Sequence, residues 1–276
     1  MAKRAILITG SNDGIGLALT KVLLRDHDCH VIMTSRSSER GAKALAAVKG
    51  EFPSADVDLL QLDVCDESSV AAAAEKVKEM GVQLYALVNN AGVGFNANGD
   101  VFATNFLGPK VCSEAFIDLI DKEKGRIVNV SSGAASMWLR NQDAATKALF
   151  SQKPLTSWEV LSDAVDKNKA SASMGGYGLS KAGLTAYTIQ QSAAYPNLTC
   201  TSLSPGFIDT KMTSGFGARL TPEQGTVSLI KCLFDDVTSG FYYGSDGLRS
   251  PLIVARDPGT PEYQGEDNPD ASKYNN

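Results

Sequence analysis

The chain has 276 residues, 43% hydrophobic and 21% charged, which supplies a large core for one α/β domain. Its net charge of −5 and pI near 5.2 argue against nucleic acid or an anionic membrane as partner. The first apolar run, Ala5–Ile8, is too short for a signal-peptide core, and no later run is long enough to cross a bilayer.

Cys29, Cys65, Cys112, Cys200 and Cys232 are scattered without a Cys-x-x-Cys pair, and His27 and His30 are the only histidines. The pattern speaks against a metal site and for a reducing, cytoplasmic setting with unpaired thiols.

In chain order, the first half alternates strand and helix signals. Strands are predicted at Ala5–Thr9, His30–Thr34, Val57–Leu62 and Leu84–Val88. Between them lie helices over Ile15–Arg25, Glu39–Lys49 and Glu67–Met80, the last capped by Asp66. Near-continuous apolar strands separated by helices imply a doubly wound parallel sheet of about seven strands, covered on both faces. The second half continues with a helix over Phe102–Ile120, interrupted at Gly108-Pro109, and a strand over Arg126–Val130. A helix over Gly176–Ala194, a strand over Asn197–Ser204, a helix over Pro222–Phe234 capped by Thr221, and a last strand over Gly240–Tyr243 complete the series.

Two stretches break the alternation. Residues 133–175 form a long insert with helical signals over Gln142–Phe150 and again after Thr156. There Thr156-x-x-Glu159 reads as a capping box, and Trp158, Leu161 and Val165 share a face. Residues 250–276, rich in Pro, Gly, Asp and Asn, are expected to wrap loosely or stay disordered, leaving 1–249 as the domain.

Chemistry enters at Thr9-Gly10-Ser11-Asn12-Asp13-Gly14-Ile15-Gly16, between the first strand and the first helix. Glycines there allow a tight turn and let a pyrophosphate approach a positive helix N-terminus. The second strand ends in Met33-Thr34-Ser35-Arg36 with Arg40 nearby and no acid, which favours the 2′-phosphate of NADP(H) over the 2′-hydroxyl of NAD(H). Asp13 counts against a phosphate, since its charge would lie near the adenosine ribose. Tyr177 and Lys181 stand four apart on a helix, so their side chains leave one face. A phenol beside an ammonium is a proton donor whose pKa the charge would lower.

The ordered set Thr9–Gly16, Asp63, Asn89-Asn90-Ala91-Gly92, Asn105, Ser131-Ser132, Tyr177-x-x-x-Lys181 and Pro205-Gly206 resembles the short-chain dehydrogenase/reductase family, over about residues 4–245. Within it, the long insert and Pro205-Gly206-Phe207-Ile208-Asp209-Thr210 resemble the carbonyl reductase-like branch. The resemblance implies a single-domain Rossmann fold with a helical insert before the catalytic helix. It also implies reduction of a carbonyl by hydride from the nicotinamide. Ser132 would hold the carbonyl oxygen, Tyr177 would donate the proton, and Lys181 would bind the nicotinamide ribose and tune Tyr177. Asn105 would hold a water linking Lys181 to solvent. Gly10 to Gly16, Asp63, Val64, Asn89, Ala91 and Gly92 would contact the cofactor's adenosine side. Pro205, Gly206, Phe207, Ile208 and Thr210 would contact the nicotinamide end.

Two departures stand out. The interval Gly92–Asn105 is shorter than the family pattern, which would open one wall of the cleft. The insert is longer than in tetrameric members and would lie where those pack together, so a monomer is expected, with a dimer as the alternative. Met137, Trp138, Leu149, Phe150 and Trp158 of the insert read either as its own small core or as a lid over an apolar substrate. Phe207, Met212 and Phe216 would face that lid, and Phe95 would add a third contact. The activity expected is reduction of an apolar ketone, aldehyde or quinone by NADPH. The alternatives are an alcohol or hydroxysteroid dehydrogenase working in the oxidising direction, and a non-catalytic NADP-binding regulator.

Overall fold

The computed structural model describes residues 3–94, 99–152 and 154–275. The strands are β1 (Ala5–Ile8), β2 (His30–Ser35), β3 (Val57–Gln61), β4 (Leu84–Asn89), β5 (Arg126–Val130), β6 (Thr199–Leu203) and β7 (Tyr242–Tyr243). They form one parallel sheet in the order β3-β2-β1-β4-β5-β6-β7. The chain winds outward from β1 to β3, then crosses back to β4 on the other side. The carboxyl ends of β1 and β4 therefore splay apart, which is where such sheets hold ligands.

Alternation along each strand builds two cores. Ile6, Ile8, Val31 and Met33 face α1 (Gly14–Asp26), α2 (Ser38–Glu51) and α9 (Val227–Phe234), meeting Leu19, Leu23, Val48 and Leu229. Leu7, Ile32, Leu87 and Ile127 face α3 (Glu67–Glu79) and α4 (Gly108–Phe116), meeting Val70, Val77, Cys112 and Phe116. A third core joins the insert helices α5 (Gly133–Arg140), α6 (Ala144–Phe150) and α7 (Trp158–Asn168) to α8 (Tyr177–Ala194). Leu161 and Val165 of α7 are fully buried there, each worth about 2 kcal/mol of apolar burial. Among the described residues no helix is long and apolar enough to cross a membrane.

Several local expectations change. Gly108-Pro109 does not break the helix. The turn before it widens into a π-helical stretch, Ala103–Leu107, because Pro109 has no N–H for the carbonyl four residues earlier. The cap of α7 is Ser157 rather than Thr156: Ser157 Oγ accepts from Val160 N, while Thr156 Oγ1 donates to Gln152 Oε1 at 2.7 Å. Thr221 does cap its segment, with Gln224 reciprocating, but the first turn tightens to 3₁₀ and α9 begins only at Val227. Helix α5 was not foreseen in the small-residue run Gly133-Ala134-Ala135-Ser136. The tail is also tied down more than its composition suggests. Arg256 pairs with Asp246 at 2.8 Å, Asp257 N donates to Tyr274 O, and Tyr274, in α10 (Ala271–Tyr274), is fully buried.

Candidate active site

A cavity of about 340 Å³ opens at the carboxyl ends of β1 and β4. Its floor is the glycine turn. Gly10 and Gly14 have φ of +64° and +54°, which only glycine adopts without strain. A Cβ on Gly10 would also lie 3.0 Å from Ala91 Cα. Thr9 Oγ1 accepts from the N–H groups of Asn90 and Ala91, both at 2.9 Å, and so staples the turn to the end of β4. Asp13 caps α1 through Gly14 N and pairs with Lys211 from the segment after β6. Lys211 holds the Asp13 carboxyl below its usual range. Arg36 and Arg40 line the cavity with Asp63, Val64 and Cys65, and Asp63 Oδ1 shapes that rim by accepting from Cys65 N. A turn opened by two glycines, a helix N-terminus and two guanidinium groups could together hold a phosphorylated dinucleotide.

Ser132, Tyr177 and Lys181 line the same cavity. Ser132 caps α5, its Oγ accepting from Ala134 N at 3.2 Å. Tyr177 is the first residue of α8, entered through Gly175 and Gly176, both at positive φ. Lys181, one turn on, is 4% exposed and donates from Nζ to Val130 O at 2.7 Å. A Cβ on Gly92 would lie 3.2 Å from Asn105 Oδ1 and 3.5 Å from Lys181 Nζ, so this corner is tightly packed.

The family model for short chain dehydrogenases matches residues 4–150. A (+)-neomenthol dehydrogenase of Arabidopsis thaliana is 30% identical over 83% of this chain and 90% of its own. Carbonyl reductase [NADPH] 3 of Mus musculus is 32% identical over 80% and 87%. The chain belongs to the short-chain dehydrogenase family. It is an oxidoreductase of the carbonyl reductase-like branch. Among solved structures, a menthone neomenthol reductase from Mentha piperita superposes with a TM-score of 0.76 at 25% identity, covering 89% of this chain and 100% of that one.

In this dehydrogenase the electrostatics at Tyr177 run opposite to expectation. Burial pushes the phenol above its ordinary pKa, and the neighbouring Ser132 hydroxyl offsets only part of that. The Lys181 amine does not lower it. Burial depresses Lys181 itself, to about 8, and its Nζ is aimed at Val130 O. Asn105 is held by its side-chain hydrogen bonds. Its amide is engaged with Val93, accepting from Val93 N and donating to Val93 O, and with Ser180 Oγ.

Other expected residues fall on both sides of the cavity wall. Gly10, Asn12, Asp13, Gly14, Ile15, Ala91, Gly92, Pro205, Gly206, Ile208 and Thr210 line it. Ser11, Gly16, Asn89 and Phe207 do not. Ser11 Oγ is buried between Ile8 O and Thr34 N, and Gly16 is closely packed, since a Cβ there would meet Asn90 Nδ2 at 2.5 Å. Asn89 points into the core, bonded to Ser113 and Asn129, and Asn90 is the asparagine at the cavity. The alternation of side chains along β4 already carried that signal. Of the apolar candidates, Met212 lines the cavity, whereas Met137 and Phe216 are exposed outside its lining. Trp138 packs edge-on to Phe150, 5.1 Å between centroids, in the insert's core rather than over the cavity. Phe95 lies outside the described residues. Lys211, Thr104 and Cys65 line the cavity unforeseen; Lys211 could have been sought as the partner of Asp13.

Proposed function

We propose that this dehydrogenase uses NADPH to reduce a carbonyl on an apolar ketone, aldehyde or quinone. The observation that carries the reading is the convergence of Ser132, Tyr177 and Lys181 on the cavity whose other wall is the glycine turn. The names of its relatives support carbonyl chemistry, and that of the mouse relative supports NADPH. NADPH, when bound, supplies the hydride. Arg36 and Arg40 would hold its 2′-phosphate, Lys181 its nicotinamide ribose, and Pro205, Gly206 and Thr210 the nicotinamide end.

Ser132 Oγ accepts from Ala134 N and its hydroxyl neighbours the Tyr177 phenol, so the two hydroxyls together can meet the substrate oxygen. Tyr177 gives the proton as negative charge builds on that oxygen. Its raised pKa keeps the phenol protonated at neutral pH, the form that can donate. Asn105 positions Val93, and through it the loop after β4. We place the enzyme in the cytoplasm as a monomer, because its five thiols are unpaired and the insert helices cover α8. Light scattering on the purified protein tests the monomer.

NADPH oxidation against a panel of ketones, aldehydes and quinones tests the activity. Turnover should vanish in Tyr177→Phe while NADPH binding stays. Full activity in that variant would remove Tyr177 from the mechanism. No turnover by the wild-type protein, despite tight NADPH binding, would instead favour a regulator.

A further inference from the structure

A second cavity, of about 450 Å³, shares no lining residue with the first. It lies between α6, the outer part of α8, the β7 region and the tail. Ala148, Ile189, Leu252 and Ile253 give it apolar walls. Two cations, Lys147 and Arg249, and one acid, Asp267, also line it, so the cations outnumber the carboxylate.

Arg249 is the organising group. Its guanidinium stacks on the Phe241 ring at 3.7 Å and lies over the Tyr263 ring at 4.9 Å. Its backbone is fixed on both sides: Arg249 N donates to Glu262 Oε1 at 3.0 Å, and Arg249 O accepts from Tyr263 N at 3.1 Å. Gly265 passes close to the guanidinium, a Cβ there lying 3.4 Å from both Nη atoms. Stacking uses the faces of a guanidinium and leaves its in-plane N–H donors available. Among the described residues, neither Arg249 nor Lys147 forms an ion pair, although this surface is rich in pairs such as Arg256–Asp246 and Lys273–Glu266. A cation held against two rings, with its side-chain donors unspent beside apolar walls, suits an anion that carries an apolar body.

We propose that this cavity binds a small organic carboxylate with an apolar body. The carboxylate lies on Arg249 and Lys147, and the apolar part lies along Ala148, Ile189 and Leu252. Tyr242 lines the cavity from the sheet side, next to the Ser136 and Ser204 hydroxyls. The proposal concerns binding and does not depend on the reaction assigned to the first cavity.

The test is calorimetric titration of NADPH-saturated protein with phenylbutyrate, using acetate and phenylbutanol as head-only and body-only controls. Phenylbutyrate should bind one molecule per chain, at least about tenfold tighter than either control. Arg249→Gln and Ala148→Phe should each weaken it about tenfold while leaving NADPH affinity unchanged, which shows the fold intact. If Arg249→Gln no longer holds NADPH, Ala148→Phe decides alone, since it fills the cavity without touching the cation. The proposal is overturned if phenylbutyrate does not saturate, if phenylbutanol binds as well, if NADPH competes with it, or if Ala148→Phe leaves its affinity unchanged.

Discussion

Lys181→Met gives the sharpest physical test of the site. Lys181 is 4% exposed, and burial lowers its pKa from 10.5 to about 8 in the folded protein. Below about pH 8 both folded and unfolded chains carry the charge, so the folded state bears the full cost of burying it. As pH rises through about 8 the folded form sheds the proton, while the unfolded form keeps it until about 10.5. In that window the unfolded chain binds more protons, so stability rises with pH. The gap corresponds to about 3 kcal/mol over the whole window, and to about 1 kcal/mol between roughly pH 7 and pH 9. Methionine removes the titration and leaves Val130 O without its partner, a penalty of about 1 kcal/mol that does not change with pH. Urea unfolding of both proteins without cofactor, across that range, isolates the term. Other groups, such as Cys29, whose thiol burial pushes up to about 11, cancel in the difference. The variant's stability relative to wild type should fall by about 1 kcal/mol from roughly pH 7 to pH 9. A difference that stays flat with pH would show that the amine is not buried as a strained cation.

Three further outcomes follow from the geometry. Replacing Arg36 and Arg40 together by alanine should weaken NADPH at least about tenfold and leave NADH nearly unchanged in fluorescence titrations; equal losses would end the phosphate assignment. Asn105→Ala removes both bonds to Val93 and the one to Ser180, so it should cost about 2 kcal/mol in thermal or urea unfolding and lower kcat; an unchanged melting curve would contradict the pinning role. Gly178→Ala places a Cβ 2.9 Å from Ala134 O and 3.0 Å from Trp138 Cβ, forcing α5 off α8. It should lower kcat about tenfold with NADPH affinity intact, and a wild-type kcat would show that the spacing of the two helices is not critical.

The fold was legible because its first strands, β1 and β2, are nearly all buried and its first turn is glycine-marked. The run Ala5–Ile8 and the turn Gly10–Gly16 need no tertiary information to be read. The glycine roles were less legible. Gly10 and Gly14 serve the cavity, but Gly16 serves packing against Asn90, a distinction made by a strand far along the chain. The same holds for Trp138, whose partner Phe150 sits on the next helix, and for Thr156, whose hydroxyl is drawn to Gln152 and leaves the cap to Ser157. The direction at Tyr177 was misread for a related reason. Spacing on a helix brings a phenol and an ammonium to one face, but burial, which spacing does not report, penalises both charges.

The insert enters and leaves the chain at the two proposed substrate-contacting groups. It begins at Ser132, the cap of α5, and ends at Tyr177, the first residue of α8. Capping directs a serine lone pair to Ala134 N and fixes the hydroxyl beside Tyr177 at the cavity. Gly176 at φ +81°, packed so that a Cβ would lie 2.4 Å from Phe102 Cζ, fixes where α8 starts and so where the phenol stands. Gly178 then lets α5 lie directly on α8, setting the distance between serine and tyrosine through helix contact rather than through a flexible link. Folding of the insert and geometry of the proposed chemistry are therefore one event. Mutations in the α7 core, at Leu161 or Val165, should reach the active site through α8, although neither residue lines the cavity.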